Sequence, residues 1–99
     1  MRHRLASVED LAEGKAIAVD VGEKRVAVFR HEDEWFALDE TCPHRGGPLH
    51  EGTIQSGVLY CPWHQWQFEL RTGCSPLNPL SRVRTYAVIV EDGAVWVDL

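Results

Sequence analysis

Two short segments concentrate the side chains that can do chemistry, Cys42-Pro43-His44 and Cys61-Pro62-Trp63-His64. Each offers one thiol and one imidazole, separated by one residue in the first segment and by two in the second. Sixteen residues, Arg45 to Tyr60, lie between His44 and Cys61, enough for a turn and a short strand, so the two segments can face each other as paired loops. Two Cys and two His are a common tetrahedral zinc set. Zinc sites, however, usually pair Cys with Cys and His with His, whereas here each loop carries one of each. A mixed pair suits a binuclear centre, in which each loop can give its thiolate to one metal ion and its imidazole to the other. Gly46 and Gly47 would let backbone approach such a centre, and the prolines would stiffen the loops.

The elements that must position these loops read as β-strands. Short apolar runs rich in β-branched and aromatic residues alternate with turn signals about every ten residues. The strands expected are His3 to Ala6, Lys15 to Val21, Arg25 to His31, Glu34 to Asp39, Val58 to Tyr60, Gln67 to Leu70, Thr85 to Glu91 and Ala94 to Asp98. Gly22-Glu23, Glu32-Asp33 and Asp92-Gly93 read as hairpin turns. Helical periodicity is confined to Val8 to Ala12, so the class is all-β. Residues 40 to 80 hold all five prolines, all three cysteines and five of the eight glycines. Such a stretch reads as loops inserted between the strands of a base and shaped for a purpose.

Ninety-nine residues suit one domain and leave no room for a separate catalytic one. The net charge of −5, with no run of Lys and Arg, argues against nucleic-acid binding. No window approaches the length of a membrane span and no signal peptide is evident, so a soluble cytoplasmic protein with no membrane partner is expected. Three cysteines cannot form a paired disulfide framework. Cys74 reads as an inert small residue. His3, His31 and His50 lack ligand spacing to anything else, with His50 the one near a loop of interest. Trp35 and Trp96 fall in strands and are expected in the core; of Trp63 and Trp66, which flank His64, at least one is expected simply to pack.

The pattern C-x-H, about sixteen residues, then C-x-x-H resembles the Rieske family and is met in full by Cys42, His44, Cys61 and His64. The resemblance extends to the Gly47-Pro48-Leu49 turn, Gly52, the F-x-x-x-T-G run from Phe68 to Gly73, the proline-bearing stretch from Pro76 to Pro79 and the closing hairpin. It implies a Rieske fold, residues 1–99 forming a single domain whose antiparallel base (about 1–39 and 80–99) carries a cluster-binding insertion (about 40–79). It implies a 2Fe-2S cluster held by Cys42, His44, Cys61 and His64, and no catalytic residue.

In function the chain resembles the ferredoxins that carry single electrons from a flavoprotein reductase to the terminal oxygenase of bacterial ring-hydroxylating systems. The small Rieske subunit of an NAD(P)H nitrite reductase, docked on its large subunit, is a second reading of the same pattern; a zinc-stabilised interaction module is a third. Two neutral imidazoles in place of two thiolates make the oxidised cluster neutral rather than dianionic. Rieske centres accordingly span about −150 to +300 mV, against about −400 mV for plant-type ferredoxins. Neither loop has a further cysteine to form the disulfide of high-potential members. Trp66 and Phe68 stand where those members place hydroxyl donors to sulfur, which predicts the low end of the range. In the family the histidines lie at the tip, so electrons should leave there, with Pro48, Leu49 and Trp63 as expected contacts.

Overall fold

Four consecutive residues, Val26, Ala27, Val28 and Phe29, are wholly buried, which dictates the layering of the molecule. Successive side chains of a strand point to opposite faces. Val26 and Val28 pack with Val21, Val95 and Val97 in one core, and Ala27 and Phe29 pack with Leu38, Leu59 and Phe68 in another. Their strand therefore lies in the middle layer, covered on both sides.

The structure, a computed structural model, describes residues 2–43, 46–63, 66–77 and 80–98. The middle layer is a sheet of β2 (Ala16–Val21), β3 (Lys24–His31), β4 (Glu34–Asp39) and β8 (Thr85–Tyr86), in that order. On one side lies a sheet in the order β1 (Arg2–Ser7), β10 (Ala94–Asp98), β9 (Val88–Glu91). The third sheet, β5 (Thr53–Gln55), β6 (Val58–Tyr60) and β7 (Gln67–Glu69), is inserted between β4 and β8, and its buried Leu59 and Phe68 face Phe29 and Leu38. All the strand pairings within these sheets are antiparallel. Short 3-10 turns occur at Val8–Asp10, where the sequence shows its one helical stretch, and at Leu49–Glu51.

The hairpin turns follow their residue types. Both central residues of Asp92-Gly93 and of Glu32-Asp33 have positive φ, as a type I′ turn requires. At Glu32 and Asp33, which lack glycine's freedom, the Glu13 carboxylate accepts both backbone N–H groups at 2.7 and 3.0 Å and so holds the turn in shape.

Three expectations need correction. The run from Thr85 to Glu91 is two strands: Tyr86 pairs with Ala37 of the middle sheet and Val88 with Val97 of the outer one, so the chain changes sheets at Ala87. Strand β5, which the sequence reading passes over, pairs with β6 through the Ser56-Gly57 turn. Trp96 is not a core residue: Val95 and Val97 point inward, and Trp96 lies on the opposite face under the Arg2 guanidinium, 5.0 Å from its ring centre. Trp35 is half-buried against the core that includes Val26 and Val28, with Arg30 over its ring at 5.3 Å.

Candidate functional site

Cys42 and Cys61 come from loops at the two edges of one core and meet there, both buried, at 2 and 0 % exposure. The loop of Cys61 is the connection between two paired strands. Tyr60 and Gln67 are partners in the β6–β7 ladder, and the Cys61 N–H donates to the Trp66 carbonyl at 2.7 Å, closing the loop one step beyond. The loop of Cys42 leaves β4 after Asp39. Its own shape is set by two bonds, from the Cys42 N–H to the Gly47 carbonyl at 2.9 Å and from the Gly46 N–H to the Cys42 carbonyl at 2.8 Å.

The two loops touch through Gly47. A Cβ added there would stand 2.9 Å from the Cys61 Sγ and 3.1 Å from the Trp63 ring, so only hydrogen leaves room for that sulfur. Burial pushes the Cys61 thiol up to about 11; a backbone N–H from Trp63 opposes this, and the neighbouring Cys42 thiol adds to it. Two buried sulfurs side by side, one of them receiving a backbone N–H, form a site that a multivalent cation would convert to thiolates. Trp63 lies against Gly47 and is 49 % exposed, whereas Trp66 packs against the core.

The structure thus brings together the two predicted cysteines; the predicted His44 and His64 lie outside the described residues. Cys74 is apart from them, half-buried in an isolated bridge with Arg82, and its thiol faces the Thr72 carbonyl at 3.9 Å. Of the expected contact residues Leu49 is wholly buried and cannot meet a partner; it is part of the floor beneath Cys42.

Glu40 escapes sequence reasoning altogether. It is 5 % exposed, and its carboxylate accepts the His50 backbone N–H at 2.8 Å and pairs through its other oxygen with the His50 ring Nδ1. No spacing rule links an acid at position 40 to a histidine at 50, because the pair exists only once the intervening loop has closed.

The sequence model of the Rieske [2Fe-2S] domain family matches residues 1–87. The anthranilate 1,2-dioxygenase ferredoxin subunit of Burkholderia cepacia is 36 % identical over 98 residues, covering 98 % of this chain and 91 % of that protein. Among solved structures, the ferredoxin of carbazole 1,9a-dioxygenase from Nocardioides aromaticivorans IC177 superposes with a TM-score of 0.90 at 31 % identity, covering 98 % of this chain and 96 % of that one. A protein of Mycobacterium tuberculosis assigned as an NADH-dependent nitrite reductase small subunit has a TM-score of 0.91 at 21 % identity, over 98 % of this chain and 93 % of that one, a likeness of fold.

Proposed function

The chain belongs to the Rieske [2Fe-2S] domain family, and from that premise we propose that it is a soluble, cytoplasmic one-electron carrier, taking electrons from a flavoprotein reductase and passing them to a terminal oxygenase. The residues present fit the family's cluster. Cys42 and Cys61 stand together in a buried pocket where Gly47 leaves space beside one sulfur, a cradle that a single methyl group would fill. We assign the four ligands as Cys42, His44, Cys61 and His64, and residues 40–79 as the cluster-bearing insertion on a base of 1–39 and 80–99. The β5–β7 sheet lies wholly within that insertion, and β8 returns to β4 after it.

When bound, the cluster supplies a reversible one-electron couple. The chain's part is to bury the two sulfurs, keep water from them with Leu49, Leu59 and Phe68, and present Trp63 to a partner. Substrate chemistry then belongs to the partner, so the chain is an electron-transfer component of a multicomponent oxidoreductase. Among the described residues no helix is long and apolar enough to cross a membrane. The dioxygenase ferredoxins are relatives at 31 and 36 % identity, whereas the nitrite reductase likeness is one of fold, and this favours the oxygenase partner.

The pairing of Cys42 and Cys61 across Gly47 carries the reading, and metal analysis tests it. The purified chain should hold two irons and two acid-labile sulfides, as a [2Fe-2S] site requires. On reduction with dithionite it should give the electron paramagnetic resonance signal of a mixed Cys and His cluster. A colourless protein containing zinc alone would overturn the proposal in favour of an interaction module.

A further inference from the structure

The two loops differ in how their stems are closed. The Cys61 loop stands on a regular antiparallel ladder, Tyr60 opposite Gln67 and Leu59 opposite Phe68. The Cys42 loop stands on a single bridge between Thr41 and Pro48. That bridge makes both of its backbone bonds, Cys42 N–H to the Gly47 carbonyl and Leu49 N–H to the Glu40 carbonyl, but no ladder continues from it, because the chain enters the 3-10 turn Leu49–Glu51 at once. Inside the loop, the bond from the Gly46 N–H to the Cys42 carbonyl sets the shape of the tip and not its direction.

Direction comes from the next pair outward. The Glu40 N–H donates to the Arg25 carbonyl on β3 at 2.9 Å, and the Glu40 carbonyl accepts the Leu49 N–H at 2.8 Å. Its carboxylate then grips His50 twice, at the backbone N–H and at the ring Nδ1. Four contacts of one residue tie both ends of the loop to the middle sheet, two residues from Cys42. A carboxylate this deeply buried is costly unless every oxygen is satisfied, and here both oxygens are taken by the same residue.

Building on the cluster reading above, we propose that Glu40 and His50 are positioning residues: their side-chain clamp stands where a ladder would continue from the isolated Thr41–Pro48 bridge and fixes Cys42 opposite Cys61 for metal binding. The clamp acts through Cys42 and touches no metal itself.

Glu13 provides a control, since its carboxylate also engages two groups across a turn, there two backbone N–H groups, outside the two cysteine loops. Glu40→Gln, His50→Ala and Glu13→Gln would be compared with wild type as purified, cluster-loaded proteins. The readouts are the rate of iron loss to a chelator, the g values of the reduced cluster and the thermal midpoint. Residues that orient metal ligands are typically worth tenfold or more in metal retention, so Glu40→Gln and His50→Ala should lose iron about tenfold faster. Their g values should shift. Glu13→Gln should lower the thermal midpoint while leaving iron loss and g values as in wild type, and His50→Gln, which restores a side-chain N–H donor, should recover part of the retention.

Wild-type iron retention with unshifted g values in Glu40→Gln and His50→Ala would overturn the proposal. So would iron loss that follows the thermal midpoint equally in the Glu40 and Glu13 variants, because the clamp would then be a general brace. Should Glu40→Gln fail to fold, His50→Ala decides alone. A wild-type chain without iron or sulfide would instead overturn the cluster reading, and this inference with it.

Discussion

Gly47 and Cys61, fourteen positions apart in the chain, lie so close that a Cβ on the first would stand 2.9 Å from the sulfur of the second. Gly47 does not have positive φ, so alanine can adopt its backbone without strain and the cost is one of space alone. Gly47→Ala should therefore fold, with the circular dichroism of wild type, and assemble the cluster poorly, measured as iron and sulfide per chain. Full cluster content in this variant would show that the space beside Cys61 is not part of the site.

Gly73 tests the opposite case. Its φ is +76°, and a Cβ would stand 2.1 Å from the Val83 carbonyl oxygen, a backbone atom that cannot swing away. It also joins the turn after β7 to the approach of β8, giving its N–H to Glu69 and accepting one from Val83. Gly73→Ala should cost about 2 kcal/mol or more of global stability, read as a lowered urea midpoint, through strain in the fold rather than through the metal site.

How far these features are legible in the sequence depends on the range over which each is decided. Turn chemistry is local, so Glu32-Asp33 and Asp92-Gly93 are readable as hairpins, and the all-β class follows. The site's two cysteines are readable because ligand type and spacing are local too. Strand β5 is three residues, Thr53 to Gln55, too short to show alternation, although Ser56-Gly57 signals the turn that ends it. The switch at Ala87 has no local mark, since which sheet a strand joins is settled by partners elsewhere, Ala37 for Tyr86 and Val97 for Val88. Trp96 is a misjudgement of residue type over pattern: with Val95 and Val97 inward, alternation alone places it outward. The Glu40–His50 clamp forms between residues whose approach depends on the whole loop, and no residue pattern announces it.

Tyr86 joins β8 to β4 by donating its O–H to the Asp39 carboxylate. Burial first, and then that hydrogen bond, push its phenol up to about 12, against about 10 in an unfolded chain. Between these values the folded protein keeps a proton that the unfolded chain releases, so stability falls as pH rises. The contribution is intact below about pH 10 and lost as pH passes about 12. Tyr86→Phe should be less stable by about 1 kcal/mol near neutrality. The difference from wild type should shrink across that alkaline window, which denaturant midpoints at several pH values would show. A difference that stayed constant would mean that the phenol's proton plays no part.

The charge on the cluster's ligands sets the last expectation, through His64→Cys. With Cys42, His44, Cys61 and His64 as ligands, two imidazoles carry no charge, and the oxidised centre is neutral. Neither Trp66 nor Phe68 offers a hydroxyl to a sulfur, so the negative charge gained on reduction has no hydroxyl donor there to stabilise it, and the wild-type midpoint should fall at the lower end of the Rieske range of about −150 to +300 mV. Exchanging one imidazole for a thiolate adds a negative charge directly on the metal, only a bond length from the iron that takes up the electron, so their repulsion is large at any plausible dielectric. The electron must then enter a centre that is already anionic. The midpoint of the variant should fall toward the plant-type value of about −400 mV, as a dye-mediated redox titration would measure. A midpoint that stayed at the wild-type value in a fully loaded variant would mean that His64 is not a ligand, and one that rose would mean that ligand charge does not govern the potential of this centre.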